Sequence, residues 1–438
     1  MPPAELRPRA SDTDRSDSAE RELTGWLLRH GLVDDNEAAL IDGFCARLLS
    51  SGVPLRRAAF GADLLHPVFE ARGYVWRRGQ PLQRDDFSRD AFGTATDDWL
   101  RSPFYRLLHP DATMPRREFV NELRRRLDAT YERGEFPLLD QMQDEGLTDY
   151  LGLAVRFGAE AADPDLQHGL LCSWATDARG GFTEQQVELL RRLAPALGLA
   201  YRALNSLETG RTLMATYLGA DAGRRVLDGA IERGKAETVN AVIWYSDLQG
   251  FTRIADTLPR EQLLELLNDY ADAVVTAVHG HGGQVLKFIG DGILAMFPVD
   301  GTAEACVKAL DAAVWLRRKL DRLNARRAAA GRPVTSLYLG LHVGEVLYGN
   351  IGSHERLDFT VVGPAVNEVA RIEAMCRSLD QQVIVSAAFA AACGPALDHL
   401  VSLGRYALRG VRKPQALYTL DPALLAAEAG GQAAPPAV

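Results

Sequence analysis

From residue 240 onward, short apolar segments alternate with long amphipathic ones, and this alternation constrains the fold more than any other feature of the chain. β-Branched and aromatic runs predict strands, whereas apolar residues spaced three and four apart predict helices with one buried stripe. The predicted strands cover 241–245, 284–289, 293–297, 336–348 (one long strand or a pair) and 359–362. The predicted helices cover 260–279, 303–327 and 366–376. The order β-α-β-β-α-β predicts a ferredoxin-like α/β sandwich in the C-terminal half.

The N-terminal half, residues 21–205, mixes helical spacing with short strands. Its predicted strands cover 68–77, 150–157 and 168–174, after helical segments around 23–27 and 39–49. A long closing helix is predicted after Thr183, because Thr183 and Gln186 have the spacing of a capping box. The predicted apolar face of that helix consists of Val187, Leu190, Leu193, Leu197 and Leu199. This half is therefore predicted to be an α+β domain.

The remaining segments are predicted to be connections and ends. Residues 1–20, rich in proline, serine and charge, are predicted to be a disordered lead, and residues 421–438 a tail. Residues 206–236 are interpreted as a solvated connector, with a rigid transmitter between domains as the alternative. The two folded domains are then 21–205 and 237–420.

Composition excludes several classes of protein. Of the 438 residues, 47% are hydrophobic and 24% are charged, which is ordinary for a globular protein. The net charge of −9 argues against nucleic acid as a partner, because phosphate binding needs a concentrated basic face. No run of about 18 apolar residues predicts a membrane span, and the polar start predicts no signal peptide. The five scattered cysteines fit a reducing compartment, so a cytoplasmic location is expected.

Two carboxylates occur where a predicted strand meets a turn. Asp247 closely follows the strand 241–245, and Asp291 lies between Gly290 and Gly292 in a predicted hairpin. Taken singly, Asp247 could cap a helix and Asp291 could be a simple hairpin tip. Because the first strand runs beside the hairpin, both carboxylates are expected at one edge of the sheet. Converging carboxylates repel each other, and Mg²⁺, which one or two carboxylates and substrate phosphates commonly hold, would relieve that repulsion.

Four further polar residues could carry chemistry. Asn367 and Arg371 are four residues apart and share one helical face, where they could position a sugar and stabilise a charged phosphorus centre. The alternative is an ordinary polar outer face. Lys287 lies in an apolar strand, where it either extends outward or needs an acceptor that a ligand could supply. Arg409 could contact phosphates or be a surface arginine.

Three motifs together resemble the catalytic domain of class III nucleotidyl cyclases, over about residues 237–420. They are Asp-Leu-x-Gly-Phe-Thr beginning at Asp247, Lys-x-x-Gly-Asp beginning at Lys287, and Asn-x-x-x-Arg beginning at Asn367. The resemblance implies adenylate cyclase activity, in which ATP is converted to cyclic AMP and pyrophosphate. It also implies a homodimer, with metal ligands from one subunit and nucleotide-contacting residues from the other.

The resemblance also implies roles for particular residues. Two Mg²⁺ or Mn²⁺ ions would be held by Asp247, Asp291 and the carbonyl group of Leu248. The nucleotide would be contacted by Lys287 and Thr360 at the purine, Asn367 at the ribose, Arg371 at the α-phosphorus and Arg409 at the triphosphate. A guanylate cyclase and a catalytically silent nucleotide-binding module are the alternatives.

The residues at the purine decide the expected substrate. Lys287 can donate and Thr360 can accept, which matches adenine, whereas guanylate-forming relatives use Glu and Cys at these places. Thr360 resembles the subclass that includes bicarbonate-responsive cyclases, so bicarbonate is a possible effector. Asp358 lies two residues before the purine-reading position and is given no role. Gln249 departs from the family, which commonly has a basic residue there.

The N-terminal half is similar to GAF-type sensor domains. The similarity is carried by the helix start Phe182-Thr183-Glu184-Gln185-Gln186 and by the amphipathic helix that follows. It implies an unidentified small-molecule effector that regulates the C-terminal half.

Overall fold

The computed structural model describes residues 12–88, 97–110, 116–117, 120–157, 169–299, 302–411 and 413–426. The chain divides into two compact units, Met1–Leu213 and Met214–Val438. Each unit combines helices with one β-sheet, which confirms the predicted α/β (α+β) class.

The N-terminal unit contains one antiparallel sheet. Its helices are α1 Asp12–Val33, α2 Glu37–Ser50, α3 Asp97–Leu100, α4 Pro103–Leu108, α5 Pro137–Asp144 and α6, which begins in this unit and spans Glu184–Leu218. Its strands are β1 Arg57–Asp63, β2 Phe69–Arg77, β3 Gln83–Ser88, β4 Arg116–Arg117, β5 Val120–Arg126, β6 Asp149–Arg156 and β7 Gly169–Thr176. The described strands follow the order β3-β2-β1-β7-β6-β5-β4.

Helix α6 begins as the capping box predicts. The backbone N–H of Gln186 donates to Thr183 Oγ1 at 3.2 Å, and the backbone N–H of Thr183 donates to Gln186 Oε1 at 2.9 Å. The predicted apolar face is buried, for example at Val187 and Leu197, except that Leu199 is 58% exposed. The prediction for Leu199 was wrong because two residues beyond Leu197 is a rotation of about 200° around a helix.

Two predictions about the ends of the chain need correction. Helix α1 begins at Asp12, so residues 12–20 are helical and not disordered, and Glu20 pairs with Arg192 at 3.1 Å. Residues 1–11 lie outside the described part. In the predicted tail, Pro422–Ala426 form helix α13, whose Leu424 carbonyl accepts from Arg318 at 3.2 Å. Residues 427–438 also lie outside the described part.

The C-terminal unit is built on a second, larger sheet. Its strands are β8 Ala236–Leu248, β9 Gln284–Ile289, β10 Gly292–Pro298, β11 Leu337–Gly352, β12 Leu357–Val362, β13 Val383–Ser386, β14 Leu400–Tyr406 and β15 Gln415–Leu420. Besides α13, its helices are α7 Ala220–Leu227, α8 Phe251–Thr257, α9 Arg260–Gly280, α10 Thr302–Ala329, α11 Pro364–Leu379, α12 Ala387–Ala392 and a 3₁₀ turn Gly394–His399. Every strand and helix predicted for this half is present.

Four antiparallel strands form one side of this sheet in the order β11-β8-β10-β9. That order is the ferredoxin-like one that the element sequence predicts. Strand β8 is buried on both faces. Val242 and Trp244 face the core beneath α9 and α10, while Ala241 and Ile243 face the core beneath α11. The long segment after residue 336 is one strand, β11, whose end pairs with β12 as a hairpin.

In the predicted connector 206–236, the polar stretch 231–236 is exposed, whereas most of the segment before it is helical. The first part continues α6 to Leu218, and α7 packs on the sheet of the C-terminal unit. Asp221 accepts a hydrogen bond from the Tyr348 hydroxyl at 3.2 Å, and the Arg225 guanidinium lies 5.2 Å from the centre of the same ring. Asn350 donates to the carbonyl of Ala230 at 2.6 Å. Asp221 and Arg225 therefore help to dock this segment, whereas Glu232 and Lys235 remain exposed.

Candidate active site

The two carboxylates predicted to converge do so in the structure. Strands β8 and β10 pair with Ile293 opposite Ser246, which places Asp247 and Asp291 at the same edge of the sheet. The backbone N–H of Leu248, which directly follows Asp247, donates to Asp291 Oδ2 at 3.2 Å, so the two carboxylates lie close together. Helix α8 starts after Gly250 with no side-chain cap, so Asp247 does not act as a helix cap.

The electrostatics of this edge are those of two acids close together. Burial raises the pKa of Asp247 to about 7, and the neighbouring carboxyl group of Asp291 acts in the same direction. The carboxyl group of Asp247 therefore loses its proton less readily than an ordinary aspartate. A divalent cation bound at this edge would favour the ionised carboxylates and relieve their repulsion.

A third carboxylate near this edge was missed by the sequence analysis. Glu373 of α11 is 8% exposed, and burial followed by the charge of Asp247 raises its pKa to about 7, while Arg377 opposes the rise. The available signal was its position in the apolar stripe of α11, next to Ile372 and three residues before Cys376. An acidic residue in a buried stripe indicates a special environment.

The donor set at the edge is small. Two carboxylates and the adjacent carbonyl of Leu248 suit Mg²⁺ or Mn²⁺, which take oxygen ligands and can complete their shells with substrate phosphates. Within the described ranges, no group of three or more His, Cys, Asp or Glu side chains is arranged to hold a metal ion. The residues present therefore fit a cation that a nucleotide helps to bind, and not a cage made by the protein alone.

The residues predicted to face the purine lie on β9 and β12. Lys287 forms an ion pair with the carboxylate of Asp358, so its acceptor within the chain is a residue that received no role from the sequence. Thr360 is 5% exposed, and its buried Oγ1 has no hydrogen-bond partner among the described residues. Asp358 and Thr360 share one face of β12 because side chains alternate along a strand. Phe359 between them points into the core.

The two polar residues of α11 have different environments. Asn367 is exposed on the first turn, whereas Arg371 is half-buried. A Cβ atom placed on Gly410 would lie 3.1 Å from Arg371 Nη1, so the guanidinium packs against this glycine. Gly410 directly follows Arg409, which is exposed. The structure thus brings Arg371 to the turn that carries the other predicted phosphate-binding arginine.

Comparison with known proteins agrees with this geometry. Residues 234–422 match the family model of the adenylate and guanylate cyclase catalytic domain. The chain is similar to an adenylate cyclase of Anabaena cylindrica, with 29% identity over 232 residues that cover 52% of this chain and 45% of that protein. It is also similar to adenylate cyclase 1 of Rhizobium meliloti, with 29% identity over 196 residues that cover 44% of this chain and 29% of that protein. The chain thus spans less than half the length of these curated relatives.

Among solved structures, the adenylyl cyclase CyaB from P. aeruginosa matches 43% of this chain and 96% of its own, with 24% identity and a TM-score of 0.39. The family match and the curated relatives identify residues 234–422 as a class III adenylate/guanylate cyclase catalytic domain. Among the helices described, none is long and apolar enough to cross a membrane.

Proposed function

We propose that this chain is an adenylate cyclase that converts ATP to 3′,5′-cyclic AMP and pyrophosphate. The observation that carries the proposal is the convergence of Asp247 and Asp291 at one edge of the sheet in a cyclase catalytic domain. A silent relative would have no need for two acids held at the cost of mutual repulsion.

Metal binding is proposed at this pair. Asp247, Asp291 and the carbonyl of Leu248 would hold two Mg²⁺ or Mn²⁺ ions. When bound, such ions lower the pKa of the ribose 3′-hydroxyl and offset the negative charge of the triphosphate. The protein's own contribution is to hold two acceptors at one place, which the β8–β10 pairing does.

Adenine recognition is proposed for Lys287, Thr360 and Asp358. Lys287 would donate to adenine N1, and the unpartnered Oγ1 of Thr360 would accept from the exocyclic amino group. Asp358 would hold the Lys287 ammonium in place through their ion pair. Guanine presents an N–H where adenine has N1, so it would meet the Lys287 donor unfavourably. The ion pair and the buried Thr360 hydroxyl support the further proposal that the chain belongs to the Thr-type subclass.

The sugar and phosphates would be held from α11. Asn367 would orient the ribose, and Arg371 would stabilise charge at the α-phosphorus during in-line attack by the 3′-hydroxyl. Arg409 would contact the departing pyrophosphate. The contact of Arg371 with Gly410 supports this grouping, because it directs a fixed cation to the turn that bears Arg409.

A homodimer is proposed as the active form. Large apolar side chains beside the candidate site are exposed in the single chain, including Phe288 at 59% and Ile289 at 47% next to Lys287. On the β11–β12 hairpin, Leu347 is 46% and Val362 is 38% exposed. Apolar residues clustered beside polar site residues are typical of a protein interface, and a second copy of this chain would cover them.

Regulation by the N-terminal unit is also proposed. Its antiparallel order β3-β2-β1-β7-β6-β5-β4, with α1, α2 and α6 packed on one face, supports a GAF-like sensor domain for an unidentified small molecule. Bicarbonate is a second proposed effector. A cytoplasmic location is supported by five cysteines that are all buried and free.

Full-length protein incubated with ATP or GTP and Mn²⁺ tests the proposed reaction. We expect cyclic AMP from ATP as the main product, identified by mass spectrometry, and none from an Asp291→Ala variant that keeps its circular dichroism spectrum. Cyclic GMP as the main product would overturn the substrate assignment, and nucleotide binding without a cyclic product would indicate a silent module. Equal activity of the full chain and residues 214–438, with and without bicarbonate, would remove the regulatory proposal.

A further inference from the structure

A series of buried polar contacts lies in the catalytic domain, away from the edge of the sheet that carries Asp247 and Asp291 (the acidic edge). His342, in the middle of β11, is 7% exposed, and its Nδ1 lies 2.9 Å from the hydroxyl of the fully buried Ser386. Its Nε2 lies 3.9 Å from Oε2 of Glu368, in the first turns of α11. Glu368 also accepts a hydrogen bond from Gln415 of β15. These contacts thus connect strand β11, the start of α12 and the start of α11.

The hydrogen-bond pattern assigns the proton on the imidazole. Ser386 Oγ accepts from the backbone N–H of Phe389 at 3.0 Å and can donate its own hydrogen to His342 Nδ1. This direction is favoured because it turns an N–H, and not a lone pair, of the imidazole toward the Glu368 carboxylate. The proton of neutral His342 then lies on Nε2, facing the Glu368 carboxylate. Burial lowers the pKa of His342, which agrees with a neutral ring.

The same three residue types can form a hydrolytic site, but this arrangement excludes one. Ser386 is completely buried, and its oxygen already caps α12. A nucleophile must reach its substrate, and nothing can reach Ser386 without opening the core. The chain of contacts therefore acts on the position of neighbouring elements.

Helix α11 approaches β11 closely at this place. A Cβ atom on Gly344 would lie 2.9 Å from Ala365 Cβ and 3.2 Å from His342 Nε2, so the absence of a side chain lets the first turn of α11 rest on the strand. Glu368 directly follows Asn367 and precedes Arg371 by three residues. Its anchorage to the strand and to β15 therefore limits the rotation of the turn that presents both residues.

We propose that His342 is a positioning residue for Asn367 and Arg371, acting through Glu368. This inference rests on the proposed cyclase function, because it assumes that those two residues contact the nucleotide. A small rotation of α11 would misplace both groups relative to the ribose and the α-phosphorus, so the chemical step should suffer more than nucleotide binding.

Two substitutions at His342 separate the two ends of the chain of contacts. In His342→Asn the amide can replace Nδ1 and keep the contact with Ser386, but it does not reach Glu368. In His342→Gln the amide nitrogen can replace Nε2 and face Glu368. We expect kcat of full-length protein to fall about tenfold in His342→Asn, with KM for ATP changed less than threefold, and to be largely restored in His342→Gln. Exposed His399→Asn is the control and should match the wild type.

A double-mutant cycle with Glu368→Gln completes the test and still reports if His342→Asn fails to fold. The inference requires that Glu368→Gln alone lowers kcat, and that the loss is smaller when His342 is already Asn. Wild-type kcat in Glu368→Gln, or equal losses in His342→Asn and His342→Gln, would overturn it. An inactive wild type would instead show that the proposed function is at fault.

Discussion

Replacing Asp291 by asparagine removes one negative charge from the acidic edge while keeping an oxygen for the Leu248 N–H. A rise in the pKa of Asp247 from 3.8 to about 7 corresponds to about 4 kcal/mol of extra cost for the ionised form. Burial is the largest cause, and Asp247 is partly open to solvent, so we assign about 1 kcal/mol to the Asp291 charge after screening. Asp291→Asn should therefore stabilise the metal-free protein at pH 8.

The sign of the pH dependence follows from the raised pKa. Because the folded-state pKa of Asp247 lies above its unfolded value, its contribution to stability is present below about pH 4 and is lost as the pH rises through about 7. The wild type should lose stability over that range, and Asp291→Asn should lose less. For a unit of this size, 1 kcal/mol corresponds to about 2–4 °C in Tm.

Thermal unfolding of the full chain in EDTA from pH 5 to pH 8 measures this difference, with the exposed residue Asp398→Asn as the control. We expect the Tm advantage of Asp291→Asn to grow with pH. Added Mn²⁺ at pH 8 should raise the Tm of the wild type well above that of Asp291→Asn. A Tm difference that is independent of pH, together with equal stabilisation of both proteins by Mn²⁺, would refute the reasoning.

Three further substitutions test other parts of the molecule. Asp149 is fully buried and accepts from Arg124 at 2.9 Å, so Asp149→Ala should cost about 3 kcal/mol in urea unfolding, and a loss below about 1 kcal/mol would contradict this role. Because the buried Thr360 hydroxyl has no hydrogen-bond partner among the described residues, Thr360→Val should leave stability unchanged or raise it by about 1 kcal/mol, while KM for ATP rises several-fold. Reduced stability with an unchanged KM would argue against a role for Thr360 in adenine binding. A Cβ on Gly340 would lie 2.8 Å from the carbonyl oxygen of Val369, so Gly340→Ala should displace α11, destabilise the protein by about 1–3 kcal/mol and lower kcat. A Tm equal to that of the wild type would contradict this prediction.

Local motifs were sufficient to predict much of the candidate site. Asp247 and Asp291 could be brought together from sequence because each lies where a strand meets a turn and the hairpin register leaves little freedom. Asp358 could not be given a role, because its ion pair with Lys287 joins two residues that are 71 positions apart in the sequence. Such a contact depends on how the β11–β12 hairpin packs against β9.

The predicted connector 206–236 also shows that contacts between distant residues cannot be predicted from local sequence. Its charges are typical of a solvated linker, yet Asp221 and Arg225 meet the side chain of Tyr348, more than 120 residues away. The density of charged residues along the sequence indicates where polar groups are frequent, but it does not predict which of them form contacts with distant residues.

The sequence alone determined the ferredoxin-like order of elements, the helix start at Thr183 and the pairing of two carboxylates at one edge. These follow from hydrophobic periodicity, capping and strand register, which act over a few residues or along one hairpin. Only the tertiary structure decided that Glu373 is a buried neighbour of that pair, that Asp358 holds Lys287 and that His342 links β11 to α11. Those contacts join distant segments, and their energies come from burial and charge in a packed interior, which no local pattern records.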